Sequence, residues 1–375
     1  MTQKILIVSG EPSGDLHASN LVKDLKKLNP DRSFFGMGGQ LSKDAGVEVM
    51  FDISGLALVG LVEVIKNIFV VGRAYKAVLA GADSVKPDLA ILVDYPGFNL
   101  RLAKELHKRS IPVVYYISPQ VWAWGGDRIN IIKKYVKKIV VFFKFEEELY
   151  RAHGINAEFV GHPLLDVVKT SLSKEETFKR YGLAGKKITV ALLPGSRYIE
   201  VSVLLPIMVS GAKLIHGKMK NVQFVVAKHP ELDMGLYENT LRNSGIDIRI
   251  AEGDTYNVLG VSDLAIVASG TATLESAIIG TPLIITYKAS LVTYALYRLV
   301  RTTKFLGLVN VIAGKEIAPE FLQFDARPEK IADKAAELLS DKNKLSGMKE
   351  ELKRVRESLG AGGASMRAAK DVNTI

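Results

Sequence analysis

Two short segments in the C-terminal half of this 375-residue chain have the pattern of phosphate-binding turns. Residues 192–197 read Leu-Leu-Pro-Gly-Ser-Arg and residues 268–275 read Ala-Ser-Gly-Thr-Ala-Thr-Leu-Glu, each between an apolar run and a helical pattern. The first N–H groups of a helix have no partner within it, and the helix dipole is positive at that end, so an anion is attracted there. Two such corners predict a site for a nucleotide diphosphate sugar.

Charged residues accompany both corners. Arg197 adds a full positive charge to the first, and Glu275, one turn into the second helix, offers a carboxylate suited to sugar hydroxyls. If Thr271 is the N-cap of that helix, a capping box would be completed by Leu274, which leaves Glu275 available for a ligand. The corner residues predicted to bind the phosphates are Gly195, Ser196, Ser269, Gly270 and Thr271.

Asp94 is the candidate for a catalytic base. It follows the apolar run 89–93 directly, which places it at the carboxyl end of a predicted strand. A carboxylate in such a place is either a hydrogen-bonded structural group or a general base, and the position favours the base.

Glu11 follows the first apolar run of the chain, within Ser-Gly-Glu-Pro-Ser-Gly-Asp at residues 9–15. This segment matches neither G-x-G-x-x-G nor a Walker loop, which disfavours a dinucleotide or ATP site. The structural alternative is that Ser13 or Asp15 caps the helix that follows, although capping gives Glu11 no role.

Two further segments are candidates for the wall of a substrate site. The Gly-Met-Gly-Gly segment at residues 36–39 is either a tight turn or a place where the backbone at Gly38 and Gly39 approaches a ligand closely. Trp122 and Trp124 are the two tryptophans of the chain. They either line a site for an acyl chain or a sugar, or pack the edge of a domain.

Short β-branched runs alternate with amphipathic helical patterns along the chain, which is typical of parallel α/β architecture. The strands predicted for a first sheet are Lys4–Val8, Ser33–Phe35, Leu89–Val93, Val113–Ile117 and Ile139–Phe142. Those predicted for a second sheet are Ile188–Leu193, Gln223–Ala227, Ile246–Ile250, Leu264–Val267 and Pro282–Ile285.

The pattern therefore predicts an α/β protein with two facing Rossmann-like parallel-sheet domains. Their predicted limits are residues 1–166 and 167–350, and residues 351–375 are predicted to form C-terminal helices that pack back on the first domain. Ligands of such folds bind beyond the carboxyl ends of the strands, so two facing sheets imply a cleft between the domains.

Composition argues against several classes of protein. The chain has no cysteine, which excludes a disulfide scaffold and a thiolate metal site, and its six histidines lack the spacing of metal ligands. Neither a metal nor a redox cofactor is expected. No uninterrupted apolar run reaches the roughly 18 residues that cross a bilayer, and the N-terminus does not read as a signal peptide. A cytosolic protein is expected.

The formal net charge of +10 is spread unevenly. Residues 128–145 and 291–308 are basic and contain no acid, and the second stretch includes Arg298 and Arg301. Such stretches either contact an anionic membrane surface or a phosphorylated substrate, or are the solvated faces of ordinary helices. Nucleic acid is disfavoured because the chain shows none of the usual binding motifs.

Nine motifs occur along the chain in an order that resembles the lipid-A-disaccharide synthase family, whose members are bacterial glycosyltransferases of the GT-B fold. Together they span almost the whole sequence. They are Ser-Gly-Glu-x-Ser-Gly-Asp, Gly-x-Gly-Gly, Val59-Gly60 with Glu63-Val64, Asp-x-Pro-x-Phe-Asn, Ser-Pro-x-Val-Trp-Ala-Trp, Gly-His-Pro, Leu-Pro-Gly-Ser-Arg, Ala-Ser-Gly-Thr-Ala-Thr-Leu-Glu and the segment Leu308 to Gly314.

The resemblance implies the transfer of a sugar from UDP-2,3-diacylglucosamine to 2,3-diacylglucosamine 1-phosphate, with inversion and without a metal. It implies an acceptor-binding first domain and a UDP-sugar-binding second domain on the cytoplasmic face of the inner membrane of a Gram-negative bacterium. Within this scheme Asp94 is the base, Glu11 lies on the acceptor side of the catalytic site, and Glu275 holds the ribose hydroxyls. Asn310 is expected near the donor or its phosphates.

The sequence departs from the family pattern at Gly97, where members can carry a second acid. This departure leaves Asp94 as the carboxylate of its segment. Two alternatives stay open: another GT-B enzyme that uses a soluble UDP-sugar, and a non-catalytic membrane-associated protein that binds nucleotide sugars. The oligomeric state is also open, with a homodimer as one possibility.

Overall fold

The computed structural model describes residues 3–53, 68–123, 125–291, 294 and 302–375. It divides into two units, one formed by Met1–Pro163 with Leu359–Ile375 and the other by Leu164–Ser358. In the described part of the chain, each unit is built around a parallel β-sheet.

The strands of the first unit are β1 (Lys4–Ser9), β2 (Ser33–Gly38), β3 (Val47–Asp52), β4 (Leu89–Val93), β5 (Val113–Tyr116), β6 (Lys138–Val141) and β7 (Ala157–Phe159). Its helices before residue 163 are α1 (Pro12–Leu28), α2 (Gln40–Asp44), α3 (Ile68–Val85), α4 (Pro96–Lys108), α5 (Arg128–Tyr135) and α6 (Lys144–Ala152).

The strands of the second unit are β8 (Ile188–Leu193), β9 (Val222–Lys228), β10 (Ile248–Glu252), β11 (Leu264–Ala268), β12 (Leu283–Tyr287) and β13 (Glu320–Leu322). Its helices are α7 (Leu164–Val167), α8 (Lys174–Tyr181), α9 (Tyr198–Lys218), α10 (Met234–Arg242), α11 (Thr255–Val261), α12 (Thr271–Ile279), α13 (Leu308–Ala313), α14 (Pro328–Ser340) and α15 (Lys342–Ser358). The last helix, α16 (Ala364–Val372), belongs to the first unit.

Both sheets are doubly wound. The first has the strand order β3-β2-β1-β4-β5-β6-β7 and the second has the order β10-β9-β8-β11-β12-β13, with parallel pairing between described neighbours. The direction of winding reverses between β1 and β4 in the first sheet and between β8 and β11 in the second. A ligand of such a sheet binds at this reversal, beyond the carboxyl ends of the strands.

The central strands form because they are apolar throughout and are covered on both faces. All five residues of β4 are buried, and side chains on the two faces of the first sheet pack into separate apolar clusters. The ten strands predicted from the sequence are confirmed, with limits that shift by up to three residues at either end. The strands that the pattern missed are β3, β7 and β13, at the sheet edges.

The predicted domain limits differ from those of the structure in two places. The first boundary lies after Pro163 rather than after residue 166. The second prediction, at residue 351, falls inside α15, which continues without a break to Ser358 and stays with the second unit. The chain therefore joins the first unit only from Leu359 onwards, where the His162 N–H donates to the Leu359 carbonyl at 2.9 Å.

The helix α16 is held to the first unit by polar contacts as well as by apolar packing. The Arg367 side chain donates through Nε to the Val160 carbonyl at 2.8 Å, and Lys138 forms an ion pair with Asp371. Ala368 and Val372 are buried in the same apolar cluster as β1 and α1. These contacts join the end of the chain to the sheet formed by its beginning.

The basic stretch 128–145 is not one amphipathic helix. It is divided between α5, β6 and the start of α6. Lys138 is buried in its ion pair with Asp371, so this charge is not available to a partner surface. Lys144 pairs with Glu147, but about half of its side chain stays exposed.

One helix among the described residues, α9, is long and apolar enough to cross a bilayer by length and composition alone. Its 21 residues include Glu200 and Lys213, so a search for uninterrupted apolar residues does not detect it. One row of its side chains, including Leu204, Leu205 and Met208, is buried, and it packs against α14. This is the burial pattern of a core helix.

Asp15 connects α1 to the turn that follows β2. Its buried carboxylate accepts hydrogen bonds from the Gly39 N–H at 2.8 Å, from the Leu41 N–H at 3.1 Å and from the Ser42 hydroxyl. Asp15 thus caps the N-terminus of α2 and not that of α1. The residue at the start of α1 is Glu11, and none of the described side chains caps that helix.

We expect Asp15→Ala to lower the free energy of unfolding of the first unit by about 2–4 kcal/mol, because it leaves buried N–H groups of α2 unpaired. Ser13→Ala, at an exposed position of α1, is the matched control and should change this free energy by less than about 0.5 kcal/mol. Urea unfolding followed by tryptophan fluorescence reports on this unit, because Trp122 and Trp124 both fall within it. Equal effects of the two substitutions would contradict the assignment.

Candidate functional site

The second unit contains a cleft of about 830 Å³ at the carboxyl ends of its central strands. The cleft includes the reversal of winding between β8 and β11. Most of the predicted donor-binding residues line it. They are Gly195, Ser196, Arg197, Ser269, Gly270, Thr271 and Glu275.

The first corner of the cleft is the turn from β8 into α9. Arg197 is the N-cap residue of α9 with extended backbone angles, and no described side chain caps the first N–H groups of this helix. The Arg197 guanidinium lies 3.4 Å from the Glu200 carboxylate, and 64% of its side chain is exposed. An exposed pair of this kind contributes at most about 1 kcal/mol, so a phosphate can compete for the guanidinium.

The second corner is the turn from β11 into α12. The N-cap is Gly270 rather than Thr271 as predicted, with φ 152° and ψ −155°, a conformation that is essentially restricted to glycine. The third residue of the helix is therefore Thr273, whose hydroxyl donates back to the Gly270 carbonyl at 2.8 Å. In the described structure no side chain caps α12, and its first turn contains no acid.

Glu275 lies half-buried in the cleft wall. Burial raises the pKa of its carboxyl group above the ordinary value. Burial together with the nearby Glu275 charge raises the pKa of Tyr256 to about 12, and Tyr256 lines the same cleft. A carboxylate with incomplete solvation gains from hydrogen-bond donors, and the hydroxyls of a sugar are suitable donors.

A polar network that the sequence did not indicate forms another wall of the cleft. The Asp254 carboxylate accepts hydrogen bonds from the Tyr181 hydroxyl and the Asn257 side-chain amide, both at 2.5 Å. The Asn257 side-chain carbonyl accepts from the N–H groups of Ser171 and Leu172 at 2.9 and 3.0 Å. The network fixes the segment before α8 against α11. In the sequence, the feature that could have indicated it is the polar Asp-Thr-Tyr-Asn turn after β10.

Asn310, expected near the donor or its phosphates, bonds to other groups of the protein. Its side chain is fully buried, and Nδ2 donates to the Ala318 carbonyl at 2.7 Å and to Glu320 at 2.8 Å. Oδ1 accepts from the N–H groups of Ile317 and Ala318 at 2.8 and 2.9 Å. These four bonds use the full capacity of the amide, so Asn310 fixes the segment before β13.

In the first unit, Asp94 lies directly after β4 in a strained backbone. Asp94 and Tyr95 have φ values of +46° and +47°, in the left-handed region that residues other than glycine seldom adopt. The Asp94 carbonyl accepts from the Tyr115 hydroxyl at 2.6 Å and from the Asn99 side-chain amide at 2.7 Å. These bonds hold the turn in place and leave the carboxylate for other partners.

The Asp94 carboxylate is half-buried. Burial raises its pKa above the ordinary value, and a hydrogen bond from the backbone N–H of Tyr95 opposes that rise. A carboxylate with a raised pKa is a stronger base than one in free solution, and this is the direction expected for a general base.

Glu11 lies at the same edge of the sheet as Asp94. Because Ser9 of β1 pairs with Val93 of β4, the residues that follow the two strands are neighbours. The Tyr95 ring packs onto Gly10, where a Cβ atom would lie 2.2 Å from the ring, and the nearby Glu11 charge helps to raise the pKa of Tyr95. The structure therefore brings Glu11 and Asp94 to one edge, with the Tyr95 ring beside them.

A tightly packed apolar group borders this edge of the first sheet. It is formed by side chains from β2, β3, α3 and α4 together with Tyr95. Its residues are Met37, Phe51, Val70, Val71, Ala74, Tyr95 and Phe98.

Gly38 and Gly39 have a local structural role rather than the predicted approach to a ligand. Both are buried, and a Cβ atom on Gly39 would lie 2.6 Å from an Asp15 oxygen. A Cβ atom on Gly38 would lie 2.7 Å from the Ser42 hydroxyl oxygen. The two glycines make room for the Asp15 contacts, as the tight-turn alternative requires.

Trp122 is half-buried and packs edge-on against Phe145, with ring centroids 5.4 Å apart. Its indole N–H donates to the buried Glu146 carboxylate at 2.9 Å. The sequence pattern missed Glu146, because the polar Glu-Glu-Glu run of α6 is indistinguishable from a solvated face. Trp124, Arg298, Arg301 and the predicted motif residues from Val59 to Val64 lie outside the described residues.

Among the described residues, no group of three or more histidine, aspartate or glutamate side chains is placed to hold a metal ion. Within the cleft, Arg197 and the starts of α9 and α12 are groups that attract an anion.

Two doubly wound units, one carrying a cleft at two uncapped helix N-termini, define the GT-B class of nucleotide-sugar enzymes. Solved structures share this fold over the full chain. One is a UDP-GlcNAc 2-epimerase from Neisseria meningitidis bound to UDP-GlcNAc, with a TM-score of 0.64, 12% identity and complete coverage of both chains. Another is a calicheamicin glycosyltransferase, with a TM-score of 0.61, 15% identity and coverage of 100% of this chain and 98% of that one.

Sequence comparison identifies the family. The model of the lipid-A-disaccharide synthetase family matches residues 5–371. The lipid-A-disaccharide synthase of Syntrophus aciditrophicus is 43% identical over 97% of this chain and 96% of its own length. The lipid-A-disaccharide synthase of Coxiella burnetii is 39% identical over 100% of this chain and 98% of its own length. The chain belongs to the lipid-A-disaccharide synthase family and is a glycosyltransferase of lipid A biosynthesis.

Proposed function

We propose that the chain transfers 2,3-diacylglucosamine from its UDP derivative to the 6-hydroxyl of 2,3-diacylglucosamine 1-phosphate. The products are UDP and a β-1,6-linked disaccharide 1-phosphate, formed with inversion at the anomeric carbon. The observation that supports this proposal best is the cleft of the second unit, where two uncapped helix N-termini, Arg197 and Glu275 share one space.

The donor half of the reaction requires stabilisation of a leaving diphosphate. The starts of α9 and α12 offer N–H groups and the positive ends of two helix dipoles, and Arg197 adds a mobile guanidinium. Groups that are fixed where negative charge develops stabilise the transition state without reorganisation. We assign the diphosphate to these two corners and the ribose hydroxyls to Glu275.

The acceptor half requires a base, because the pKa of a sugar hydroxyl lies far above 7. Asp94 is assigned this role, since it lies at the end of β4 with a raised pKa and its carbonyl, not its carboxylate, holds the turn. Glu11 lies on the acceptor side at the same edge.

The direct test is incubation of the purified protein with the UDP-diacyl sugar and the lipid monophosphate acceptor. We expect UDP and disaccharide in equal amounts, at the same rate with and without EDTA, because Arg197 and the helix N-termini take the place of a divalent cation. UDP release without disaccharide, equal use of soluble acceptors, or loss of the rate in EDTA would each contradict the proposal.

We expect Asp94→Asn to lower kcat by at least about 100-fold while the Kd for UDP changes less than twofold. The amide keeps the shape and tolerates the left-handed backbone, but it cannot accept a proton. In the wild type, kcat should fall as the pH is lowered through the raised Asp94 pKa, because protonation removes the base. Equal loss of kcat and UDP affinity would show that Asp94 is not the base.

Arg197→Ala is the complementary variant. We expect the Kd for UDP to rise by about 10-fold, as is typical when one charge-assisted contact worth roughly 1.4 kcal/mol is lost. Lys213→Ala, on the same helix, is a matched control that should leave the Kd unchanged. Isothermal titration with UDP measures both values, and an unchanged Kd for Arg197→Ala would place the diphosphate elsewhere.

We further propose that the protein acts as a peripheral protein on an anionic cytoplasmic membrane surface. The support is the basic, acid-free composition of residues 291–308 and the lipid character of the proposed substrates. Replacing Arg298, Arg301 and Lys304 with serine should reduce co-sedimentation with anionic vesicles several-fold, whereas binding to zwitterionic vesicles stays low. Unchanged co-sedimentation would show that this stretch does not bind the membrane and is an ordinary solvated surface.

A further inference from the structure

The loop that follows β5, residues 117–123, adjoins the turn that carries Asp94. The strands β4 and β5 pair directly, with Val93 opposite Tyr116. The Tyr115 hydroxyl bonds to the Asp94 carbonyl at 2.6 Å, so the end of β5 supports the Asp94 turn. A displacement of this loop would therefore shift the turn that carries Asp94.

This loop begins in a strained conformation. Ile117 has a φ value of +69°, which is a genuine outlier for a β-branched residue. Such a conformation is unfavourable by roughly 1–3 kcal/mol and persists only where surrounding contacts fix it. Contacts from outside the loop must therefore hold it.

Helix α6 supplies those contacts. One oxygen of Glu146 accepts hydrogen bonds from the Ser118 hydroxyl and from the Trp122 indole N–H, both at 2.9 Å. One turn further along, the Tyr150 hydroxyl donates to the Pro119 carbonyl at 3.1 Å. Three points of the loop are thus attached to one face of α6.

Glu146 is an unfavourable residue for stability alone. Its carboxylate is only 3% exposed, and burial raises its pKa to about 7. Apolar residues of similar volume often replace buried charged groups without loss of stability. An apolar residue cannot accept the hydrogen bonds that the Glu146 carboxylate receives from Ser118 and Trp122 in the loop, or those from the backbone at Phe142 and Phe143.

We propose that Glu146 is a positioning residue for the acceptor reaction: it holds the loop 117–123 so that the acceptor hydroxyl is presented to Asp94. Glu146 acts through Ser118 and Trp122 and does not contact the reacting atoms. This inference rests on the proposed function, because it takes the edge of the first sheet beside Asp94 to be the acceptor side.

The test compares Glu146→Leu with Glu146→Gln. The leucine removes the Glu146 oxygen that both loop donors share, so kcat/KM for the acceptor should fall by about 10- to 100-fold, the scale expected for misplacement of about 1 Å. The glutamine keeps an acceptor oxygen, so kcat/KM for the acceptor should lie within about threefold of the wild-type value. The Kd for UDP should stay constant in both variants.

Glu147→Leu is the matched control, because Glu147 is equally buried on the same helix. Its carboxylate bonds to the Phe159 N–H and pairs with Lys144 and Arg151, away from the loop. This variant should lower the melting temperature, measured by circular dichroism, as much as Glu146→Leu does. Its acceptor kcat/KM should nevertheless stay within about threefold of the wild type.

Ser118→Ala provides a milder test should Glu146→Leu fail to fold, because it removes only one of the two donors. We expect a decrease of about three- to tenfold in kcat/KM for the acceptor. The inference is overturned if Glu146→Gln is as impaired as Glu146→Leu, if Glu147→Leu is equally impaired, or if Ser118→Ala has no effect. Absence of disaccharide with the wild type would instead refute the proposed function.

Discussion

The N–H groups at the starts of α9 and α12 are the feature on which the cleft of the second unit depends. Both helices begin where the winding of the sheet reverses, and in the described structure neither receives a side-chain cap. A helix start without a cap leaves several donors to be satisfied by solvent or by a ligand. The sequence keeps these positions open by placing arginine at one N-cap and glycine at the other, where serine or aspartate would stabilise the free protein.

The first unit has the same strand topology, but the residues at the ends of its central strands are acidic. Its strands β1 and β4 occupy the places of β8 and β11 in the second sheet, yet Glu11 and Asp94 follow them. The start of α4, just beyond Asp94, favours the ionised carboxylate, whereas burial favours the protonated form. Burial prevails, and the pKa of Asp94 rises. One fold thus places uncapped helix starts with Arg197 at the strand ends of one unit and the carboxylates of Glu11 and Asp94 at those of the other.

The predictable part of this structure is the part that local pattern determines. Buried central strands are continuous apolar runs, and residues after their carboxyl ends reach the site whatever the details of packing, so the corner residues and Asp94 were located correctly in the fold. In the edge strand β3 only the first residue is buried and the others alternate between exposed and partly buried, so its run is harder to distinguish from a loop. The contacts of Asn310 with Ala318 and of Gly39 with Asp15 were not visible in the sequence pattern, because the folding of the chain brings these partners together.

Three of the six described residues other than glycine that have a left-handed φ lie where β4 and β5 end: Asp94, Tyr95 and Ile117. Each of these left-handed residues is unfavourable by roughly 1–3 kcal/mol, a substantial amount for a domain whose net stability is about 5–15 kcal/mol. The hydrogen bonds that oppose this strain come from the Asn99 side-chain amide, the Tyr115 hydroxyl and α6. They bind backbone carbonyls and loop side chains and leave the Asp94 carboxylate unused. A structure that only needed stability would relax these turns, so their retention beside a half-buried carboxylate is what a rigidly placed base requires.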